Sequence, residues 1–296
     1  MKKNLVKKAV LPAIVALICS VVALTSVSYA WFSMGDEASV SGMEMQVTAA
    51  DGLQISGSGD VGSFKSNLVL NDLAITGAEE NASPVSTDGT VSSGALSFYT
   101  AKIVDGQVAD VAADTGNYIT FDLYVQVAAG KKLQLTKDSI VKMIEGETKQ
   151  THLATRVAFI NLGYASTAAD AKAGTLSGEV SIKIWEPNSA TRSQAYLNTL
   201  TDANDATKDG KQGYKGVVGA NAGAPVYSTD DVDTFDFVGN DPVDLFDLGE
   251  GYNRIRVYIW LEGEDLDCLN EVSGGTFSID LKFAQAAVAQ ADPEEE

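Results

Sequence analysis

Between Met43 and Phe283 the chain repeatedly places an apolar residue at every second position, and that spacing commits it to extended backbone. Met43, Met45 and Val47 alternate with Glu44, Gln46 and Thr48, and Ile119, Phe121, Leu123, Val125 and Val127 alternate with Thr120, Asp122, Tyr124 and Gln126. The same pattern covers Val180, Ile182 and Ile184, then Ile255, Val257, Ile259 and Leu261, and finally Phe277, Ile279, Leu281 and Phe283. Successive side chains of a strand point to opposite faces, so each run predicts a strand with one buried and one wet face. Residues 156–162 are apolar on both faces and predict a more central strand; 53–56, 68–70, 95–104 and 132–135 are shorter candidates. Helical spacing is poor after the leader: two turns over 139–145 and a short helix over 284–291 are the only candidates. About ten short strands joined by Gly, Asn and Asp turns predict an all-β chain, an antiparallel β-sandwich of the jelly-roll kind.

The first 30 residues read differently. Lys2, Lys3, Lys7 and Lys8 precede an apolar run from Ala9 to Leu24 that carries no charge, and Ser28, Tyr29 and Ala30 offer a small-x-small cleavage site. Residues 1–30 are therefore expected to be an export signal cut between Ala30 and Trp31. An uncleaved membrane-anchor helix is the alternative, since the apolar stretch approaches the roughly 18 residues that span a bilayer. Either way the remainder is expected outside the cytoplasm, secreted or at the cell surface, touching membrane only through this segment. Residues 31–283 are expected to form a single domain, interrupted at about 188–250 by a long acidic insertion rich in Asn, Asp, Gly, Thr and Ala, and followed by an acidic tail over 284–296. Loss of the leader would move the formal charge from −19 to −23, because the leader holds four lysines and no acid. Such a balance argues against nucleic acid and anionic lipid as partners. Of the two cysteines, Cys19 lies in the leader, which leaves Cys268 without an internal disulfide partner.

Few residues suggest catalysis. His152 is the sole histidine, so a two-histidine zinc motif is impossible, and no Gly-x-Ser-x-Gly elbow occurs. Asp114, Thr115 and Gly116 match a short aspartic-protease signature but precede a strand, where a turn is expected. No enzymatic activity is expected. The acidic loop carrying Glu264, Asp265, Asp267, Asn270 and Glu271 offers the oxygen ligands that calcium takes, although its spacing is not that of an EF-hand; an ordinary solvated loop is the competing reading. Trp185, Tyr258 and Trp260 sit opposite the apolar sets of their strands and would make a glycan platform if exposed on one flat face, or pack under a second layer if not.

The residues flanking the cut carry a resemblance. Ser28-Tyr29-Ala30 followed by Trp31-Phe32-Ser33, then Ala38 to Gly42 and the first alternating strand, resembles the camelysin and TasA group of exported Gram-positive matrix proteins. Ile184 to Asn188 and Tyr258 to Gly263 look like recurrent pieces of clostridial surface proteins with the same leader. The resemblance implies a jelly-roll subunit of an extracellular fibre whose leader is removed by a dedicated signal peptidase. It also implies that the first mature segment adds a strand to the next subunit, with Met43, Met45 and Val47 filling alternate pockets; the partner is then the chain itself or a related matrix subunit. Pairing within its own domain is the other reading of that strand. An adhesin or glycan-binding module is the alternative function, and a camelysin-type metalloprotease a weaker one.

Overall fold

The computed structural model describes residues 44–50, 52–77, 83–87, 89–104, 107–127, 131–188, 233–235, 237, 239–263, 265, 268 and 274–287. In chain order the strands are β1 (Glu44–Ala49), β2 (Gln54–Ser56), β3 (Asn67–Val69), β4 (Thr76–Gly77), β5 (Val91–Ser92), β6 (Ala95–Leu96), β7 (Tyr99–Val104), β8 (Gln107–Ala112) and β9 (Ile119–Val127). They continue as β10 (Lys131–Leu135), β11 (Ile140–Met143), β12 (Thr155–Ala165), β13 (Ser181–Trp185), β14 (Asp233–Phe235), β15 (Val243–Leu248), β16 (Gly251–Leu261) and β17 (Phe277–Ala287). One short α-helix, α1 (Ala168–Ala173), is present among the described residues, capped by the Thr167 hydroxyl, which accepts from the Asp170 amide. The fold is all-β.

The strands form two main sheets. The first runs β15-β10-β17-β1-β3, with β11 also on β17; the second runs β14-β13-β12-β16-β9-β2, with β4 also on β9. Between their main strands the ladders are antiparallel except for β1 with β17 and β13 with β14. The alternation seen in the sequence sets the inward faces. Phe277, Ile279, Leu281 and Phe283 of β17 are buried while Ser278, Asp280 and Lys282 between them are half-buried. Both sheets feed one cluster: Met45, Val47, Leu133, Leu135 and the β17 set from the first meet Leu123, Val125, Val157, Phe159, Val257 and Ile259 from the second. Phe159 and Phe283 touch edge to face across the gap at 5.8 Å.

The second sheet is buried on its outer face as well. Ala158, Ile160, Ile184, Tyr258 and Trp260 form a second cluster with Val85, Leu96 and Phe98, supplied by the segment that carries β5 and β6. A strand covered on both sides reads as a continuous apolar run, which explains residues 156–162.

Several expectations are corrected. Residues 139–145 contain β11, not a helix: only Val141 of β11 is buried, so the period is too weak to read. Thr136 to Ser139 is a break in one long strand beside β17, where the Ser139 hydroxyl accepts from the Lys282 amide at 2.9 Å in place of a backbone carbonyl. β17 runs on to Ala287, through residues assigned to a tail helix. β15 lies inside the stretch expected as an acidic excursion and is a full member of the first sheet. It escaped the alternation test because a register shift opposite Leu133 and Gln134 buries both Leu245 and Phe246.

Candidate functional site: the slot of the first strand

β1 occupies an interior position in the first sheet, between β17 and β3. Glu44 to Ala49 pair in parallel with Ser278 to Phe283, and Gln46 to Thr48 pair antiparallel with Val69 to Asn67. Met45, Val47 and Ala49 point into the shared core with at most 6% exposure, whereas Glu44 and Gln46 face solvent. Burying a Met or Val side chain stabilises by about 1.5–3 kcal/mol. Without β1, the inward row of β17 and Leu68 of β3 would face an apolar slot with unpaired backbone on both sides.

The attachment of β1 is local on one side only. Parallel neighbours cannot be joined by a tight turn, and here nearly the whole chain separates β1 from β17. The link is the crossing from β1 to β2 in the other sheet: the Ala50 amide donates to the Phe283 carbonyl at 2.9 Å and the Leu53 amide to the Ala50 carbonyl at 3.1 Å. Gly52 sits there at φ +83°, a conformation that disfavours any side chain, and a Cβ would lie 2.9 Å from Gln285 Nε2. Met43, like the cleavage pair Ala30 and Trp31, lies outside the described residues.

The aromatic platform is a correction. Trp185, Tyr258 and Trp260 are buried to within 3%, so they are not on an exposed flat face. They do not even share a face: Trp185 belongs to the central core, 5.7 Å from Phe237, while Tyr258 and Trp260 lie in the outer cluster. Phe98 packs against Trp260 at 5.2 Å and Tyr258 at 5.6 Å, the Leu96 amide donates to the Tyr258 hydroxyl at 3.3 Å, and Trp260 Nε1 donates to Glu262 Oε2 at 3.0 Å. Of the calcium candidates only Asp265 is described; it is buried, and its Oδ2 accepts from the Arg156 guanidinium. Glu264, Asp267, Asn270 and Glu271 lie outside the described residues. Among the described residues no group of three or more His, Cys, Asp or Glu side chains is placed to hold a metal ion.

Other polar sites are structural in character. Asp122 accepts from Arg254 Nε at 2.9 Å and from Arg256 Nε at 2.7 Å. Burial alone would raise its carboxyl, but the hydrogen bonds from Arg256 and Arg254 hold it below the usual range. Arg256 also donates to the Gly94 carbonyl at 3.2 Å, which ties the β5–β6 hairpin to the second sheet. Nothing in the alternation pattern distinguishes Asp122 or Arg254, because each occupies the polar phase of its strand, while Arg156 stands on a strand buried on both faces, in the same phase as Ala158 and Ile160. His152 is half-buried, its imidazole pushed below its ordinary value by burial, and its Nδ1 has no hydrogen-bond partner. Asp114 opens a 3-10 turn over Thr115–Asn117. A shallow cavity of about 250 Å³ beside β2 has Ser56, Ser63, Lys65 and Asp72 in its wall, and these bond to one another, Ser56 Oγ to Ser63 Oγ at 2.6 Å and Lys65 Nζ to Asp72 Oδ1 at 2.8 Å.

Among the described residues no helix is long and apolar enough to cross a membrane; the leader lies outside them. Comparison with protein-family models, with curated proteins and with solved structures finds no match.

Proposed function

We propose that this chain is an exported structural protein of the cell surface or extracellular matrix, a jelly-roll-like β-sandwich that assembles into fibres by giving β1 to a neighbouring copy. The observation that carries the reading is the position of β1: interior to its sheet, parallel to β17, and tethered to the rest of the described fold only through the short crossing at Ala50 to Leu53. A strand so placed leaves and re-enters by opening its own two ladders, with β17 and with β3, and a vacated slot offers N–H and C=O groups that an identical strand satisfies. The two sheets closing on one core support the sandwich, and the basic, apolar, small-x-small leader supports export. Release of the leader would free the segment ahead of β1 to reach another subunit.

Replacing Met45 with Asp tests this. In protein beginning at Trp31, the carboxylate would sit where a fully apolar pocket is required. Filaments are expected from the parent and none from the variant, with the variant monomer keeping its far-ultraviolet circular dichroism. Filaments of equal number and length from both would overturn strand donation.

A further inference from the structure

The β7–β8 hairpin belongs to neither main sheet. Its six residue pairs run from Tyr99 with Ala112 to Val104 with Gln107, and the two strands touch each other far more than any other element. The other small hairpin, β5–β6, is held down by Leu96 in the outer cluster and by Arg256 on the Gly94 carbonyl. β7–β8 is joined to the body at its base, where Tyr99 exchanges two backbone hydrogen bonds with Ser86, at 2.9 and 2.8 Å, and Ala113 donates to Phe98 at 2.9 Å.

Those base contacts set the direction of every backbone group above them. Because Tyr99 turns its N–H and C=O away from β8, so do Ala101 and Ile103 along β7. Residues directly opposite in an antiparallel ladder share that character, so Val108, Asp110 and Ala112 turn theirs away from β7. On β7 the outer side is taken at Tyr99 by Ser86; on β8 no ladder pairs the outer side among the described residues. A lone two-stranded hairpin is marginal in water, and an unpaired edge is a template for another strand.

The composition of the hairpin points to the occupant. Residues 99–112 contain Tyr99, Thr100, Ile103, Val104, Val108 and Val111, no proline, and a formal charge of −1 from Lys102, Asp105 and Asp110. In a chain of formal charge −19, this is a place where two copies meet with little mutual repulsion. We propose that the outer edge of β8 pairs antiparallel with the same edge of a second copy of this chain, about a two-fold axis at Ala109. That register sets each Val108 against Asp110 of the other copy and keeps the two aspartates from facing each other, which like charges directly opposite disfavour. The contact joins two hairpins into a four-stranded sheet. It is separate from the donation of β1, and in a fibre it would tie neighbouring filaments side by side.

Ala109 of the two copies would form a non-hydrogen-bonded pair, with Cα atoms about 4.5 Å apart, within the roughly 4.4–6.8 Å that a disulfide bridges. In the full-length chain with Cys19→Ser, Ala109→Cys should give a disulfide-linked dimer under mild oxidation, while Ala101→Cys on the opposite edge should not. No dimer at position 109, or equal yields at both positions, overturns the proposal. As a second variant, Val108→Pro removes an outward N–H without touching the ladder inside the hairpin. By sedimentation in detergent its self-association should weaken at least tenfold against the parent, with circular dichroism unchanged. Identical sedimentation of the two chains at every concentration overturns it as well.

Discussion

Glu147 shows how one side chain can staple two distant segments. Its carboxylate accepts from the Thr148 amide at 2.7 Å, the Lys149 amide at 2.9 Å and the Thr276 amide at 2.9 Å, which fixes the turn after β11 to the start of β17. The amides of Lys149, Thr148 and Thr276 lower its pKa from the ordinary 4.5 to about 2. A depressed carboxyl stabilises the fold above its unfolded pKa and loses that contribution as pH falls through the folded value, so the window here is roughly pH 4.5 down to 2. Glu147→Gln is expected to flatten the fall of Tm over that window, read by a thermal scan at each pH; an unchanged acid limb would count against the staple. Asp122 offers a contrast in magnitude. It is mostly buried between two guanidinium groups, so Asp122→Asn should cost about 1–3 kcal/mol in urea unfolding. The exposed pair of Lys132 with Asp244 at 3.0 Å should yield only ~0–1 kcal/mol on Asp244→Asn. Equal costs would show that burial does not separate the two.

At the scale of elements, the bulge in β12 has one defined requirement. The ladder with β16 shifts between Asn161 and Tyr164, and Gly163 there has φ +109°, with a Cβ position 2.4 Å from the Ser177 carbonyl oxygen. Asn161 Oδ1 accepts the Gly163 amide at 3.0 Å. Gly163→Ala should therefore destabilise by more than about 1 kcal/mol, whereas Gly62→Ala, with open space around it, pays only for its backbone conformation; urea midpoints of the two variants make the comparison. Elements were legible in proportion to how cleanly burial alternates. β1, β9 and β17 alternate in burial along most of their length, β16 does so as far as Val257 before both its faces are buried, and all four are legible from residues alone, with β7 part of the expected 95–104. β11 has a single buried side chain, β15 is bulged, and α1 is six residues of mostly alanine, so none declared its type. For Trp185, Tyr258 and Trp260 the sequence leaves two settings open, an exposed platform or packing under a second layer, for a related reason: alternation gives the face a side chain takes, not what lies on that face. Their cover comes from Leu96 and Phe98 on one side and Phe237 on the other, far away in sequence.

For the molecule as a whole, the parallel union of β1 with β17 is the feature on which the proposed assembly rests. It joins the first described strand to the last one in the first sheet, so completing that sheet depends on a strand with no local tie to its principal neighbour. Chains with high formal charge repel one another over their surfaces, and a backbone ladder with a buried apolar row is a contact that works against such repulsion. The direct measurement is cryo-electron microscopy of protein beginning at Trp31. The account predicts filaments in which residues 44–49 of each subunit lie between β17 and β3 of the next. Monodisperse particles, or filaments in which those residues remain between β17 and β3 of their own subunit, would contradict it.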